Sequence, residues 1–90
     1  MIRPYPFKEE IVDNAYIRTF NKNTDDKLLQ WHWDDEDRIV EVIGTTDWKF
    51  QFDNELPIDM NGTKLFVEKK RWHRVIKGSQ DLVVKIIKLK

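Results

Sequence analysis

Cysteine is absent from the chain, which removes disulfide staples, thiolate metal sites and thiol nucleophiles together. Serine is almost absent. Ser79 is the sole one and sits in a Gly-Ser turn, so a serine nucleophile with a base beside it has no place here. The three glycines, Gly44, Gly62 and Gly78, stand apart, and isolated glycines do not make a phosphate-cradling loop. No apolar run approaches the roughly 20 residues of a bilayer-spanning helix. Met1–Phe7 is too short and too rich in proline to read as a secretory leader, so a cytoplasmic protein without membrane attachment is expected. Without a leader, Asn61-Gly62-Thr63 reads as a turn rather than a glycosylation site.

An excess of either charge is also missing. The formal net charge is zero, although residues 1–45 carry six Lys/Arg against ten Asp/Glu and residues 46–90 the reverse. The basic set, from Lys69, Lys70, Arg71 and Arg74 to Lys85, Lys88 and Lys90, alternates with apolar residues along the chain. Alternation of that kind marks solvated outer faces, and a neutral chain exerts no long-range pull on a polyanion. No nucleic-acid partner is expected.

What the chain does have is aromatic residues and a period of two. Four Trp, five Phe and two Tyr occur among 90 residues, a number that makes one domain (1–90) and leaves no room for a second core. Apolar and polar residues alternate through Ala15–Phe20, Leu28–Asp34, Arg38–Ile43 and Trp48–Phe52, then Lys64–Glu68, His73–Lys77 and Leu82–Leu89. These runs are rich in β-branched and aromatic residues and are separated by Asn, Asp and Gly clusters, which predicts strands joined by short turns. Only Lys8–Asn14 reads as a short helical turn. The fold class expected is all-β, a small barrel or sandwich.

Two histidines, His32 and His73, carry most of the chemical potential. In Gln30-Trp31-His32-Trp33-Asp34, a strand period places Gln30, His32 and Asp34 on one face and both tryptophans on the other. If the polar face points into a barrel, it forms a site. The run Asp34-Asp35-Glu36-Asp37 supplies four neighbouring carboxylates.

These residues resemble the cupin superfamily. Gln30-x-His32-x4-Asp37-x6-Gly44 follows the spacing of its first motif, with Gln30 at the first His and Asp37 at the Glu. Gly62-x5-Glu68-x-Lys70-x2-His73-x3-Lys77 follows the second, keeping Gly62 and His73 but not the Pro, inner Gly and Asn. The resemblance covers residues 30–77. It implies a double-stranded β-helix, or jelly-roll, barrel and a metal site with His32 and His73 as ligands, Asp37 as carboxylate and Gln30 completing the set. Asp34 is the alternative carboxylate, because His-x-Asp is similar to the arrangement of 2-oxoglutarate-dependent oxygenases, and Glu36 is a third option. Those oxygenases need a downstream arginine, and the only one after His73 is Arg74, which alternation turns to the opposite face.

Two imidazoles and a carboxylate suit Fe, Mn, Ni or Zn and leave open positions for a small polar molecule. The pocket wall would come from Phe50 and Phe52 or from Lys49 and Gln51, because a one-residue slip of register exchanges the two sets. Substrate contacts are expected from Gln30, Phe50 or Gln51, while a catalytic residue is not assigned. The competing expectation is a ligand-binding, sequestering or accessory barrel that holds no metal. A homodimer through the apolar alternation of Leu82–Leu89 is the expected assembly.

Overall fold

A computed structural model describes residues 6–89; Lys90 and the Met1–Tyr5 start, discussed above for charge and for a leader, lie outside the described residues. Eight strands follow one another: β1 (Lys8–Val12), β2 (Ala15–Phe20), β3 (Asp37–Ile43), β4 (Lys49–Phe52), β5 (Ile58–Asp59), β6 (Lys64–Val67), β7 (His73–Ile76) and β8 (Leu82–Leu89). They build a five-stranded sheet in the order β1-β2-β8-β3-β6 and a three-stranded sheet in the order β5-β4-β7. Every strand pairing among the described residues is antiparallel. The all-β expectation holds, and no helix among the described residues is long and apolar enough to cross a membrane.

Register decides which side chains face inward. In the large sheet Tyr16 lies opposite Ile86, Arg18 opposite Val84 and Phe20 opposite Leu82. On the far side of β8, Arg38 lies opposite Lys88, Val40 opposite Ile86 and Val42 opposite Val84. Opposed residues share a face, so two arginines and a lysine extend the same inner surface as Phe20, Leu82 and Val84. In the small sheet Phe50 opposes Val75 and Phe52 opposes His73, which selects the Phe50/Phe52 set for the interior and turns Lys49 and Gln51 outward. Trp48, Met60 and Leu82 are fully buried where the sheets meet, with Val67, Phe50 and Phe52 packed around them. Burying an aromatic or aliphatic side chain of this kind contributes roughly 1.5–3 kcal/mol.

Two segments depart from the sequence expectation. Lys8–Asn14 is not a helical turn. It forms edge strand β1 and a two-residue hairpin, in which Asp13 and Asn14 take φ of 49° and 66° between the paired Val12 and Ala15. Positive φ at both central positions is the twist-matched hairpin turn that Asp and Asn tolerate. All five residues of β1 are exposed, so nothing imposed an alternating pattern on it. Leu28–Asp34 is not a continuous strand either. Leu28 closes a 3-10 turn (Asp26–Leu28) capped by the Asp25 carboxylate on Lys27 N at 3.0 Å, and Leu29 packs against the core. Only His32 pairs with a neighbour. The two-residue β5, next to Pro57, carries too few residues to show a period.

The loop ends are fastened by Asp47, whose carboxylate accepts from Ser79 N at 2.9 Å and Gln80 N at 3.3 Å. The Ser79 hydroxyl and these amides hold the Asp47 carboxyl below its usual range. Gly78 permits the approach, because a Cβ there would stand 2.2 Å from Asp47 Oδ1 and 2.8 Å from its backbone carbon. Gly78→Ala is therefore expected to destabilise the fold by about 1–3 kcal/mol. Urea denaturation checks this, and a midpoint equal to wild type would contradict it.

Candidate metal centre

His73 opens β7 and is paired on both sides. On one side it opposes Phe52 of β4; on the other it forms an isolated antiparallel bridge with His32. In that bridge His32 N donates to His73 O at 3.0 Å, and His73 N donates to His32 O at 2.9 Å. Residues that exchange both hydrogen bonds project side chains to the same face, so the bridge brings the two imidazoles together with ring centres 4.4 Å apart. Asp34 follows two residues later and reaches the same place, its backbone held by Lys70 N donating to Asp34 O at 2.7 Å. One ligand atom from each of His32, Asp34 and His73 lies within 4.8 Å of the other two.

The orientation of the two rings follows from their neighbours. His32 Nδ1 is 3.1 Å from the Gln30 carbonyl and His73 Nδ1 is 2.7 Å from the Arg71 carbonyl. A carbonyl only accepts, so each Nδ1 carries a proton and, in the neutral ring, Nε2 is the nitrogen that presents a lone pair. Phe50 stacks on the His73 ring at 5.3 Å and 16°, which fixes its plane.

One contact in this cluster is unusual. His73 Nε2 lies 3.3 Å from Asp34 Oδ2, and Oδ2 is buried with no hydrogen-bond partner among the described residues. Two lone pairs facing each other across that gap are repulsive unless something positive lies between them. A proton on His73 meets that need, and so does a metal ion. Donors bonded to one ion at about 2.0–2.2 Å stand about 3.0–3.5 Å apart, which is the spacing of this pair. The donor set fits a divalent transition ion, provided that His32, the solvent-exposed member, closes the wider spacing.

Arg38 controls the charge here. Its Nη1 lies 3.3 Å from Asp34 Oδ1 and its Nη2 donates to Glu36 Oε1 at 3.1 Å, while Lys88 Nζ is 3.8 Å from the same Glu36 atom. Burial pushes the Asp34 carboxyl up, but His73 and the Arg38 guanidinium outweigh it and hold the group below its ordinary range. His32 is exposed at its surface, yet the protein around it desolvates the ring enough to push the imidazole down, and the Gln30 carbonyl only partly opposes this. An ionised carboxylate beside a neutral imidazole is the protonation state a metal takes.

The cluster opens into a cavity of about 400 Å³ between the sheets, lined by Gln30, His32, Asp34 and His73, by Phe50, and by Arg18 and Arg38. Of the residues nominated from sequence, the fold brings Gln30, His32, Asp34, His73 and Phe50 to this space. Gln30 holds His32 through its carbonyl, and its side-chain amide donates to Lys27 O at 3.0 Å. Asp37 is elsewhere: its Oδ1 accepts from Lys69 N at 2.8 Å. Gln51 faces outward, where its Oε1 accepts from Arg74 Nε at 3.0 Å and Nη2 at 2.8 Å. Arg74 also lies over Trp31, 4.6 Å from the ring centre, and Trp31 itself lines the cavity. Arg18 and Arg38 were not nominated, although Arg18 interrupts the inner stripe Tyr16-Arg18-Phe20 and Arg38 heads the stripe Arg38-Val40-Val42.

No protein-family model matches the sequence, and a search of curated proteins finds no match. Solved structures do match. KdgF from Halomonas sp. superposes with a TM-score of 0.72 at 14% identity, over 100% of this chain and 85% of that one. A cupin domain from Bordetella pertussis Tohama I gives 0.64 at 15% identity, with 100% of both chains covered. Fe(II) HppE in complex with substrate gives 0.65 at 11% identity over 99% of this chain, which spans 56% of that protein's length. The chain has the cupin fold, a small all-β barrel, and at these identities the likeness is one of fold alone.

The lowered His32 value makes a pH prediction for the metal-free protein. Between His32's lowered value and its ordinary 6.5, the unfolded chain binds a proton that the folded chain does not, so stability is lost as pH falls through that window. Asp34 has the opposite origin and the same sign: its contribution is present above the ordinary 3.8 and is lost only in stronger acid. Urea titrations from pH 7.5 to 5 should show falling stability that flattens in His32→Ala. An unchanged slope in the variant would count against this assignment.

Proposed function

We propose that this protein is a small metal-binding barrel that holds one divalent transition ion, Fe, Mn, Ni or Zn, and binds or transforms a small polar molecule in the adjoining cavity. The observation that carries this reading is the 3.3 Å contact between His73 Nε2 and the buried Asp34 Oδ2, which has no hydrogen-bond partner among the described residues, with His32 on the same face. The Nε2 atoms of His32 and His73 and the Asp34 carboxylate would hold the ion; Asp37, nominated by motif spacing, is not part of this set. A bound ion would supply Lewis acidity, with positions left open by a three-residue ligand set. Around it the chain's own residues have defined tasks. The Gln30 and Arg71 carbonyls hold the Nδ1 protons, Phe50 fixes the His73 plane, and Arg38 pairs with Asp34 Oδ1. Fe(II) in the structurally similar HppE, itself in complex with substrate, supports the combination of metal and small molecule.

A second reading rests on the same contact. With His73 protonated, His73 and Asp34 form an ion pair and the barrel is a metal-free binding module. Metal analysis of protein purified without an affinity tag separates the two. About one ion per chain in wild type, lost in His32→Ala with the fold intact, is the expected result. His32 is solvent-exposed, so the substitution removes little packing. Wild-type protein that stays metal-free, and whose melting temperature ignores added Fe, Mn, Ni and Zn, would establish the second reading.

A second copy of the chain is the proposed partner. On the outer face of the large sheet Ile39 lies opposite both Phe66 and Ile87, and Phe66 is 52% exposed. A contiguous apolar strip like this favours association with a matching surface. Light scattering across a concentration series should show a dimer that Phe66→Lys weakens; a wild-type monomer throughout would refute it.

A further inference from the structure

Arg18 has a task that the fold and the metal centre leave unexplained. It projects from β2 onto the inner face, opposite the buried Val84, and lines the same cavity as His32, Asp34 and His73. Its side chain is only 15% exposed. Nε donates to Glu9 Oε1 at 2.7 Å, and the guanidinium carbon lies 4.2 Å above the centre of the Phe7 ring. Those two contacts hold the side chain in place. Among the described residues, nothing accepts a hydrogen bond from either Nη atom, and Glu9 engages the guanidinium through a single nitrogen. A planar fork with two open donors matches the two oxygens of a carboxylate.

Charge around the cavity points the same way. On this side of the barrel Arg18, Arg38 and Lys88 are matched by Glu9, Asp34 and Glu36. A divalent ion at the histidines would leave two positive charges in excess on this side, and an anionic ligand offsets them. The rest of the wall is apolar, with Phe20, Leu29, Phe50, Met60 and Val75. A wall of that kind excludes a heavily hydroxylated or highly charged guest and accepts a hydrocarbon body.

We propose that the molecule taken into this cavity is a small organic carboxylate, its anionic end held by the Arg18 guanidinium and its apolar body packed between the two sheets. This rests on the cavity being the ligand site of the proposed function, and it assigns the substrate class and the residue that selects it.

Hexanoate and 1-hexanol, which share a chain and differ in charge, are the probes for isothermal titration of the protein as purified. Hexanoate should bind more tightly than hexanol by about tenfold or more, the range of a charge-assisted pair. Arg18→Met, which keeps the aliphatic stem, should abolish the preference without changing metal content. Glu9→Gln, which frees Arg18 from its internal partner, should strengthen hexanoate binding and provides a second test should Arg18→Met not fold. Equal affinity for acid and alcohol, or a preference that survives Arg18→Met, would overturn the proposal, as would hexanoate binding unchanged by Glu9→Gln. Metal content is measured on the same samples. An ion present without any preference for the acid overturns the carboxylate assignment and leaves the metal centre standing. A metal-free protein that still prefers hexanoate does the reverse.

Discussion

Two hydrogen bonds between the backbones of His32 and His73 hold the candidate site together. Because the pair is directly opposed, the side chains have no choice of face, and both imidazoles enter the barrel. The same pairing brings Asp34 to His73 and draws the 3-10 turn, with Leu29, over the cavity. Each Nδ1 is then taken by a carbonyl two residues upstream, Gln30 for one and Arg71 for the other. A single rung of sheet therefore sets position, tautomer and direction for both rings.

The sheets supply the counterweight. Arg38, Lys88 and Arg18 stand on inner-facing positions that strand periodicity would ordinarily give to apolar residues. Desolvating such groups is costly without partners, and each finds one: Asp34 and Glu36 for Arg38, Glu36 for Lys88, Glu9 for Arg18. The barrel is thus apolar where the sheets meet at Trp48, Met60 and Leu82, and charged toward the histidines. Small domains have little core to give away, and here the polar groups are gathered at one end so that the packing at the other stays continuous.

Much of this was legible in the chain, for identifiable reasons. Leu82–Leu89 showed a clean period of two because its buried residues Leu82, Val84 and Ile86 share one face, and both it and Ala15–Phe20 match their strands end to end. His73 was readable as an inward residue once Phe50 and Phe52 were placed, since Phe52 and His73 are opposed. Gln30, His32 and Asp34 do share the cavity, although their segment is not a strand; one bridge at His32 was enough to preserve the alternation locally. The choice of carboxylate was not legible. Asp34 and Asp37 are three residues apart in an acidic run, and only the Lys69 amide that captures Asp37 and the Arg38 guanidinium that captures Asp34 separate them. Edge strand β1 was invisible because a fully exposed strand has no face to encode.

The lone bridge at His32 has a consequence for time rather than for shape. His73 belongs to a strand paired along its length with β4, whereas His32 rides on a segment joined to β7 at one point. Segments with few contacts open at a small fraction of the free energy needed to unfold the whole. The arm that carries His32 is therefore held by fewer backbone bonds than the arm that carries His73, and a local opening there would part the two imidazoles while both sheets stay intact.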